Sequence, residues 1–280
     1  MTPKKISIIT VNHNNKIGLK KTIENVLSQN KSDFEFIIID SGSTDGSLEL
    51  INNYSRDIDY LASEPDKGIY NAMNKGIKVA NGEFVIFMDS GATFYDKNVI
   101  NKVAPLLENN FDIYYGDSYV IKHQNKEKII FSKILSFDFF YTRSINRQSV
   151  FIRKKMFFDY FLYSEDFKMV SDWEFLIYTI CYENRPYKYL QMTISNNELT
   201  NISSNVNRKN RDLELNEKNE VFNKYFPHFL DTYKSINSIK SKEIQDIFYI
   251  KNFKYPWKLF KGIINFLIIF KFMFTNQNLK

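Results

Sequence analysis

SEPDKGIYNAMNKGIKVANGEFVIFMDSG, residues 63–91, reads as a loop, a helix, a turn, a strand and an acidic tip. Pro65 fixes its own φ, and Gly68 permits a turn that residues with a Cβ resist. Ile69, Ala72, Met73, Ile77 and Ala80 recur at helical spacing and predict one apolar helix face. Asn81-Gly82 predicts the stop. The unbroken apolar run from Phe84 to Met88 predicts a strand buried on both faces, and Asp89 follows it directly. A carboxylate at the carboxyl end of a buried parallel strand lies where open α/β sheets bind ligands.

The same alternation extends back to the N-terminus. Ile6 to Val11 predicts a strand that ends in the polar loop Asn12-His13-Asn14-Asn15. Leu19, Ile23, Val26 and Leu27 mark a helix face. Phe36 to Ile39 predicts a second strand, ending in Asp40-Ser41-Gly42-Ser43-Thr44-Asp45-Gly46; Leu48 and Ile51 carry the next helix, and Ile58 to Ala62 a third strand. This β-α-β-α-β-α-β order predicts a mainly parallel sheet with right-handed crossovers. Three strand ends then present polar tips to one rim: Thr10 with Asn12, Asp40, and Asp89. Asp40 is read either as a ligand-binding carboxylate or as the start of a turn, for which Asp-Ser-Gly-Ser is good chemistry. Asp45 suits the start of the following helix, and Lys67 is either a solvated charge or a phosphate contact.

Composition limits the class. The chain has 280 residues, 44% of them hydrophobic and 25% charged, which is globular and long enough for a sizeable core. A net charge of +6 allows attraction to phosphate or anionic lipid without choosing between them. No basic-aromatic recognition motif points to nucleic acid. The single cysteine, Cys181, makes no internal disulfide and no zinc cluster, which suits a reducing compartment. The stretch MTPKKISIITVN reads as a first strand, not a signal peptide.

Four segments in this order, IITVNHNN, IIIDSGSTDGS, SEPDKGIYNAMNKGI and GEFVIFMDSG, resemble family-two glycosyltransferases of the GT-A fold, the third most of all those bacterial enzymes that build capsule, O-antigen or exopolysaccharide. The resemblance implies a Rossmann-like α/β domain over residues 1–205, with a nucleotide-sugar half to about 92 and an acceptor half from 93, followed by a helical extension over 206–280. It implies an inverting transferase that takes a nucleotide-activated sugar, UDP-linked, to a saccharide or lipid-linked acceptor. Thr10, Asn12 and Asp40 then hold base and ribose; Asp66, Lys67 and Asn74 line the donor side; Asp89 and Ser90 form the tip near the diphosphate and its Mn2+ or Mg2+ ion. Gly91 and Ala92 stand where the family often carries further carboxylates. That leaves three readings: a weaker metal site on Asp89, basic side chains that neutralise the diphosphate, or a non-catalytic nucleotide-sugar binder or complex partner.

The second half supplies the acceptor side. Ile113 to Val120 predicts a strand, and Lys122 to Phe131 its hairpin return; Asp117 is an acceptor-side carboxylate or a strand-end turn residue. Arg147-Gln148-Ser149-Val150-Phe151-Ile152 resembles a family strand that commonly reads His-Gln, with Gln148 toward acceptor and Arg147 toward phosphate. Ser171-Asp172-Trp173-Glu174 matches the family segment that carries the base, and Asp172 takes that role: a carboxylate can remove the acceptor hydroxyl proton as the new bond forms. Ser171 and Glu174 by themselves read as a capping box, and Trp173 as a sugar platform or a core plug. Thr193 to Asn205 resembles the family's closing loop, with Asn201 where glycine is common. Tyr255 to Phe274 mixes lysines with large apolar residues, and its apolar run is shorter than the roughly 20 residues a spanning helix needs. It reads as an interfacial helix, peripheral at the inner face of the cell membrane, or as a cover for the catalytic domain or a subunit contact.

Overall fold

The structure, a computed structural model, describes residues 4–29, 33–122, 125–198, 208–239, 249–250 and 253–275. Strands β1 (Ile6–Asn12) and β2 (Phe34–Asp40) are buried along their whole length and pair in parallel from Ile6↔Phe34 to Asn12↔Asp40. That register places Asn12 beside Asp40 at the carboxyl edge. β3 (Tyr60–Ser63) adds in parallel outside β2, and β4 (Phe84–Phe87) adds in parallel on the other side of β1. Continuous apolar strands of this kind need helices on both faces. Those are α1 (Lys16–Leu27), α2 (Ser47–Asn52) and α3 (Ile69–Val79).

In α1 the buried residues Leu19, Thr22, Ile23 and Val26 form one face. In α3 that face is Tyr70, Ala72, Met73, Asn74, Gly76 and Ile77. Ile69, predicted to belong to it, is exposed because it is the first residue of the helix and points toward the rim. The turn after α3 lies against β1: a Cβ on Gly82 would sit 2.5 Å from the Ser7 amide nitrogen and 2.6 Å from the Ile6 carbonyl carbon. Glycine is there for close approach of two backbones.

Beyond residue 91 the sheet becomes mixed. β5 (Ala92–Phe94), β6 (Ile113–Lys122), β7 (Asn125–Ile129), β8 (Val150–Arg153) and β9 (Tyr187–Glu198) complete the order β3-β2-β1-β4-β8-β6-β9-β5, with β7 as the hairpin partner of β6. β8 runs antiparallel to β4, so the parallel expectation holds for the first half and reverses at this junction. Helices α4 (Val99–Val103), α5 (Phe137–Thr142), α6 (Met156–Asp159) and α7 (Ser171–Ile177) flank this half.

Two local expectations are corrected. Arg147–Ser149 is a single 3-10 turn ahead of β8, not the beginning of the strand. Successive side chains of a strand point to opposite faces; the turn lets Arg147 and Gln148 point the same way. The Ser171/Glu174 capping box does not form either. Val170 is the N-cap of α7, and Ser171 Oγ accepts from the Ser164 amide at 2.5 Å instead.

The chain forms two compact units, residues 1–221 and 222–280. The sequence predicts the first boundary at 205; the unit continues because the Glu217 carboxylate, on α8 (Arg208–Tyr225), accepts from the amides of Lys168 and Met169 at 2.8 and 2.9 Å. The second unit contains α9 (Pro227–Ile239) and α10 (Lys254–Thr275). No helix among the described residues is long and apolar enough to cross a membrane. The 199–205 part of the predicted closing loop, Asn201 included, lies outside the described residues.

Candidate active site

The carboxyl edge of the parallel strands is built as a hydrogen-bonded rim. Asp40 is fully buried and accepts from Asn12 Nδ2 at 2.8 Å, Ser43 Oγ at 2.6 Å, the Ser43 amide at 3.0 Å and Ser63 Oγ at 2.7 Å. Burial would raise its pKa; the hydrogen bonds from Ser43, Asn12 and Ser63 outweigh burial and hold it below the ordinary carboxylate value. Asn12 passes the connection on, because its Oδ1 accepts from Ser90 Oγ at 2.7 Å. Thr10 is fully buried and ties β1 to the next strand through the Met88 carbonyl at 2.8 Å. Thr10, Asn12 and Asp40 therefore set the rim from beneath.

Asp89, Arg147 and Asp172 meet above that rim. Arg147 donates to Asp89 Oδ2 through Nε at 2.8 Å and Nη2 at 2.6 Å, and to Asp172 Oδ2 through Nη1 at 3.2 Å. Gln148 Nε2 reaches the same Asp89 oxygen at 2.7 Å. Burial would lower the Arg147 pKa, but the charges of Asp89 and Asp172 raise it, so the guanidinium stays charged. Tyr70 donates its hydroxyl to Asp172 Oδ1 at 2.9 Å. Burial first, and then the Asp172 charge, raise the Tyr70 pKa, so it remains a donor.

Two adjoining cavities open here and share His13, Asn15, Asp89 and Ser90. The first, about 600 Å³, is lined by Arg147, Gln148, Met169, Asp172, Trp173 and Lys218 among others. The second, about 760 Å³, is lined by Val11, Asn12, Ser41, Gly42, Pro65, Asp66, Ile69 and Ala72. Asp66 is held at its edge by Ser41 Oγ and the Gly68 amide. Trp173 is buried, its Nε1 bonded to the Phe140 carbonyl at 3.0 Å, and Lys218 Nζ lies 5.3 Å from its ring centre.

Five predicted site residues are not brought to the cavities. Thr10 and Asp40, expected to hold base and ribose, are fully buried beneath the rim with their polar atoms bonded to protein partners, and line neither cavity. Lys67 is exposed outside both. Asn74 is buried, with its amide bonded to the Tyr163 backbone and to Glu165. Asp117 is buried at the base of the hairpin, accepting from Tyr189 Oη at 2.5 Å and the Phe131 amide at 3.2 Å, with Lys128 Nζ 3.4 Å away. Two residues that the sequence reading left without a role belong to the site. Tyr70 sits on the helix face read as apolar, and its hydroxyl was not legible there. Asn15 caps α1 through the Gly18 amide at 3.1 Å and donates to the Ser90 carbonyl at 3.0 Å; an asparagine just before a helical pattern is the signal that finds it.

The acidic tip does not suit a resident divalent ion. Such ions want several oxygen ligands. Among the described residues no three His, Cys, Asp or Glu side chains gather as ligands. Asp89 Oδ2 already takes three N–H donors, and its Oδ1, buried and without a hydrogen-bond partner among the described residues, is left to a ligand. A dication there would face the fixed Arg147 charge.

The sequence profile described as "Glycosyl transferase family 2" matches residues 7–166, more than half of the chain. A relative from Mycobacterium bovis (strain BCG / Pasteur 1173P2), "PGL/p-HBAD biosynthesis glycosyltransferase", is 26% identical over 211 residues, covering 71% of this chain and 79% of that one. "UDP-Glc:alpha-D-GlcNAc-diphosphoundecaprenol beta-1,3-glucosyltransferase WfgD" of Escherichia coli is 27% identical over 138 residues, 46% of this chain and 54% of that one. The solved S. aureus TarS 1-349 in complex with UDP-GlcNAc superposes with a TM-score of 0.59 at 19% identity, over 70% of this chain and 59% of that chain. The mannosyltransferase PcManGT from Pyrobaculum calidifontis, solved with GDP-Man and Mn2+, gives 0.52 at 15% identity, over 69% and 58%. The match thus spans less than two thirds of either solved chain. With four motifs in order, a GT-A fold and a profile match over more than half of its length, this chain belongs to glycosyl transferase family 2.

Proposed function

We propose that the protein is an inverting glycosyltransferase of bacterial cell-surface polysaccharide biosynthesis, moving a sugar from a UDP-sugar to a saccharide or lipid-linked acceptor. The observation that carries this reading is the Asp89–Arg147–Asp172 chain at the junction of two cavities. The cavity lined by Ser41, Pro65, Asp66 and Ile69 suits a nucleoside, with the Pro65 and Ile69 side chains as apolar surface. The cavity holding Asp172, Met169 and Trp173 suits the acceptor. The UDP-GlcNAc complex of the TarS neighbour and the diphosphoundecaprenol acceptor in the name of the E. coli relative support the two substrate classes.

The chemistry is a single displacement. Asp172 takes the acceptor hydroxyl proton while the oxygen forms a bond to the anomeric carbon from the face opposite the leaving group. The bond from that carbon to the diphosphate oxygen breaks, and its electron pair leaves with UDP. Arg147 meets the charge that develops there. Tyr70 and Arg147 hold the Asp172 carboxylate in one orientation.

The α10 helix gives a lipid-linked acceptor a surface on which to meet the enzyme. Tyr255, Leu259, Ile263 and Phe266 form an exposed apolar groove with Lys258 beside it. We assign this helix to the headgroup region of an anionic membrane at the cytoplasmic face.

The test is UDP release from a panel of UDP-sugars, with lipid-linked saccharides extracted from bacterial membranes as acceptors. Release that depends on both donor and acceptor supports the reading. Donor binding without turnover on any acceptor would reduce the protein to a nucleotide-sugar binder.

A further inference from the structure

We propose that Arg147 is the built-in cation of this transferase: its guanidinium stands in for a divalent ion at the leaving diphosphate, and donor binding and transfer need no metal. The inference rests on the nucleotide-sugar reading of the site and goes beyond it.

The acidic tip is organised against a metal in its backbone as well as its side chains. Gly91 has φ +101°, a conformation that side-chain-bearing residues rarely adopt, and its amide donates to Thr22 Oγ1 at 2.9 Å. An aspartate at that position would be strained. Ala92 begins β5 and packs in the core cluster at the wall of the first cavity. The two positions after Asp89-Ser90 are thus committed to a turn and to packing.

What replaces the missing charge is Arg147. Its turn, Arg147–Ser149, projects it and Gln148 together onto Asp89. A guanidinium has five N–H donors. Asp89 takes Nε and one N–H of Nη2; Asp172 takes one N–H of Nη1. Among the described residues one N–H remains without a partner on each terminal nitrogen, and the side chain lines the first cavity with 24% of its surface open. Guanidinium N–H groups are strong donors to phosphate oxygens. Arg147 also touches the base, so one fixed charge serves both the leaving group and Asp172. The carboxylates place the cation before donor arrives, which is the preorganisation that electrostatic stabilisation needs.

The transfer step balances without an ion. The diphosphate oxygen gains the electron pair of the broken glycosidic bond, the Arg147 N–H groups hydrogen-bond it, and the proton that leaves the acceptor is on Asp172.

Calorimetric titration of UDP into the full chain tests this, in EDTA and in Mn2+, for the wild type, Arg147→Lys and Arg147→Gln, with circular dichroism melts to confirm folding. The proposal predicts a wild-type Kd that agrees within about twofold between EDTA and Mn2+. It predicts at least tenfold weaker binding in EDTA for Arg147→Gln, with Arg147→Lys in between. A merely structural clamp would leave UDP affinity unchanged in a folded Arg147→Gln protein, and that result overturns the proposal. So does a wild type whose affinity rises tenfold or more with Mn2+; this arm decides the matter even if the variants do not fold. A wild type that binds UDP in neither buffer overturns the nucleotide-sugar reading, and this inference with it.

Discussion

The Tyr70 hydroxyl donates to Asp172 Oδ1 at 2.9 Å, joining residues 102 positions apart in the chain. α3 carries the tyrosine and α7 the aspartate, so the carboxylate we propose as the base is steadied by the helix that also borders the second cavity. Tyr70→Phe removes one hydrogen bond from a carboxylate, about 1.5–3 kcal/mol for a bond to a charged group. We expect kcat to fall by roughly tenfold or more, with donor KM nearly unchanged, in steady-state UDP-release kinetics.

Asp40 makes acid stability depend on the rim. Its folded pKa lies below the unfolded value, so the stability it contributes is complete above about pH 4 and is lost as pH falls through the folded value. Asp40→Asn keeps the shape but turns an amide toward the donors of Asn12 and Ser43. Urea unfolding at neutral pH should show a loss of about 2–3 kcal/mol, and the gap between variant and wild type should narrow below about pH 4.

The glycine in the turn after α3 tests the fold. A Cβ at Gly82 would meet β1 backbone atoms at 2.5 and 2.6 Å, and backbone cannot rotate away as a side chain does. Gly82→Ala should cost on the order of 1–3 kcal/mol, read as a lower midpoint in denaturant with catalytic constants close to wild type in the remaining folded protein.

The α10 groove is tested on vesicles. Flotation with phosphatidylglycerol-rich liposomes should carry the wild type upward. Leu259→Asp, at an exposed position, should remain at the bottom with an unchanged melting temperature. Equal flotation of both would remove the membrane assignment.

Much of the first half of the chain was legible because its signals are local. Period and strand-end chemistry give β1, β2, β4 and the tips Asn12, Asp40 and Asp89 directly. The part beyond residue 92 was less so, because its decisive contacts join separate segments. Nothing in Arg147-Gln148-Ser149 predicts a 3-10 turn, since the two side chains turn together only when Asp89 is there to receive them. Asn74 and Asp117 carry polar groups that look available in sequence but are consumed by Tyr163, Glu165, Tyr189 and Phe131. Ser171 and Glu174 fit a capping box that the Ser164 amide pre-empts. In each case a hydrogen bond from outside the local segment outweighs a local rule.

The most direct test of the catalytic claim is a paired measurement on the wild type and Asp172→Asn: turnover of UDP-sugar to acceptor, with the product's anomeric configuration read by NMR, and UDP affinity by calorimetry. We predict an inverted anomer from the wild type, a fall in kcat of about 10²–10⁴ for the variant as general-base loss implies, and UDP affinity within a few-fold. Turnover that survives Asp172→Asn, or a product with retained configuration, would contradict Asp172 as the base of a single displacement.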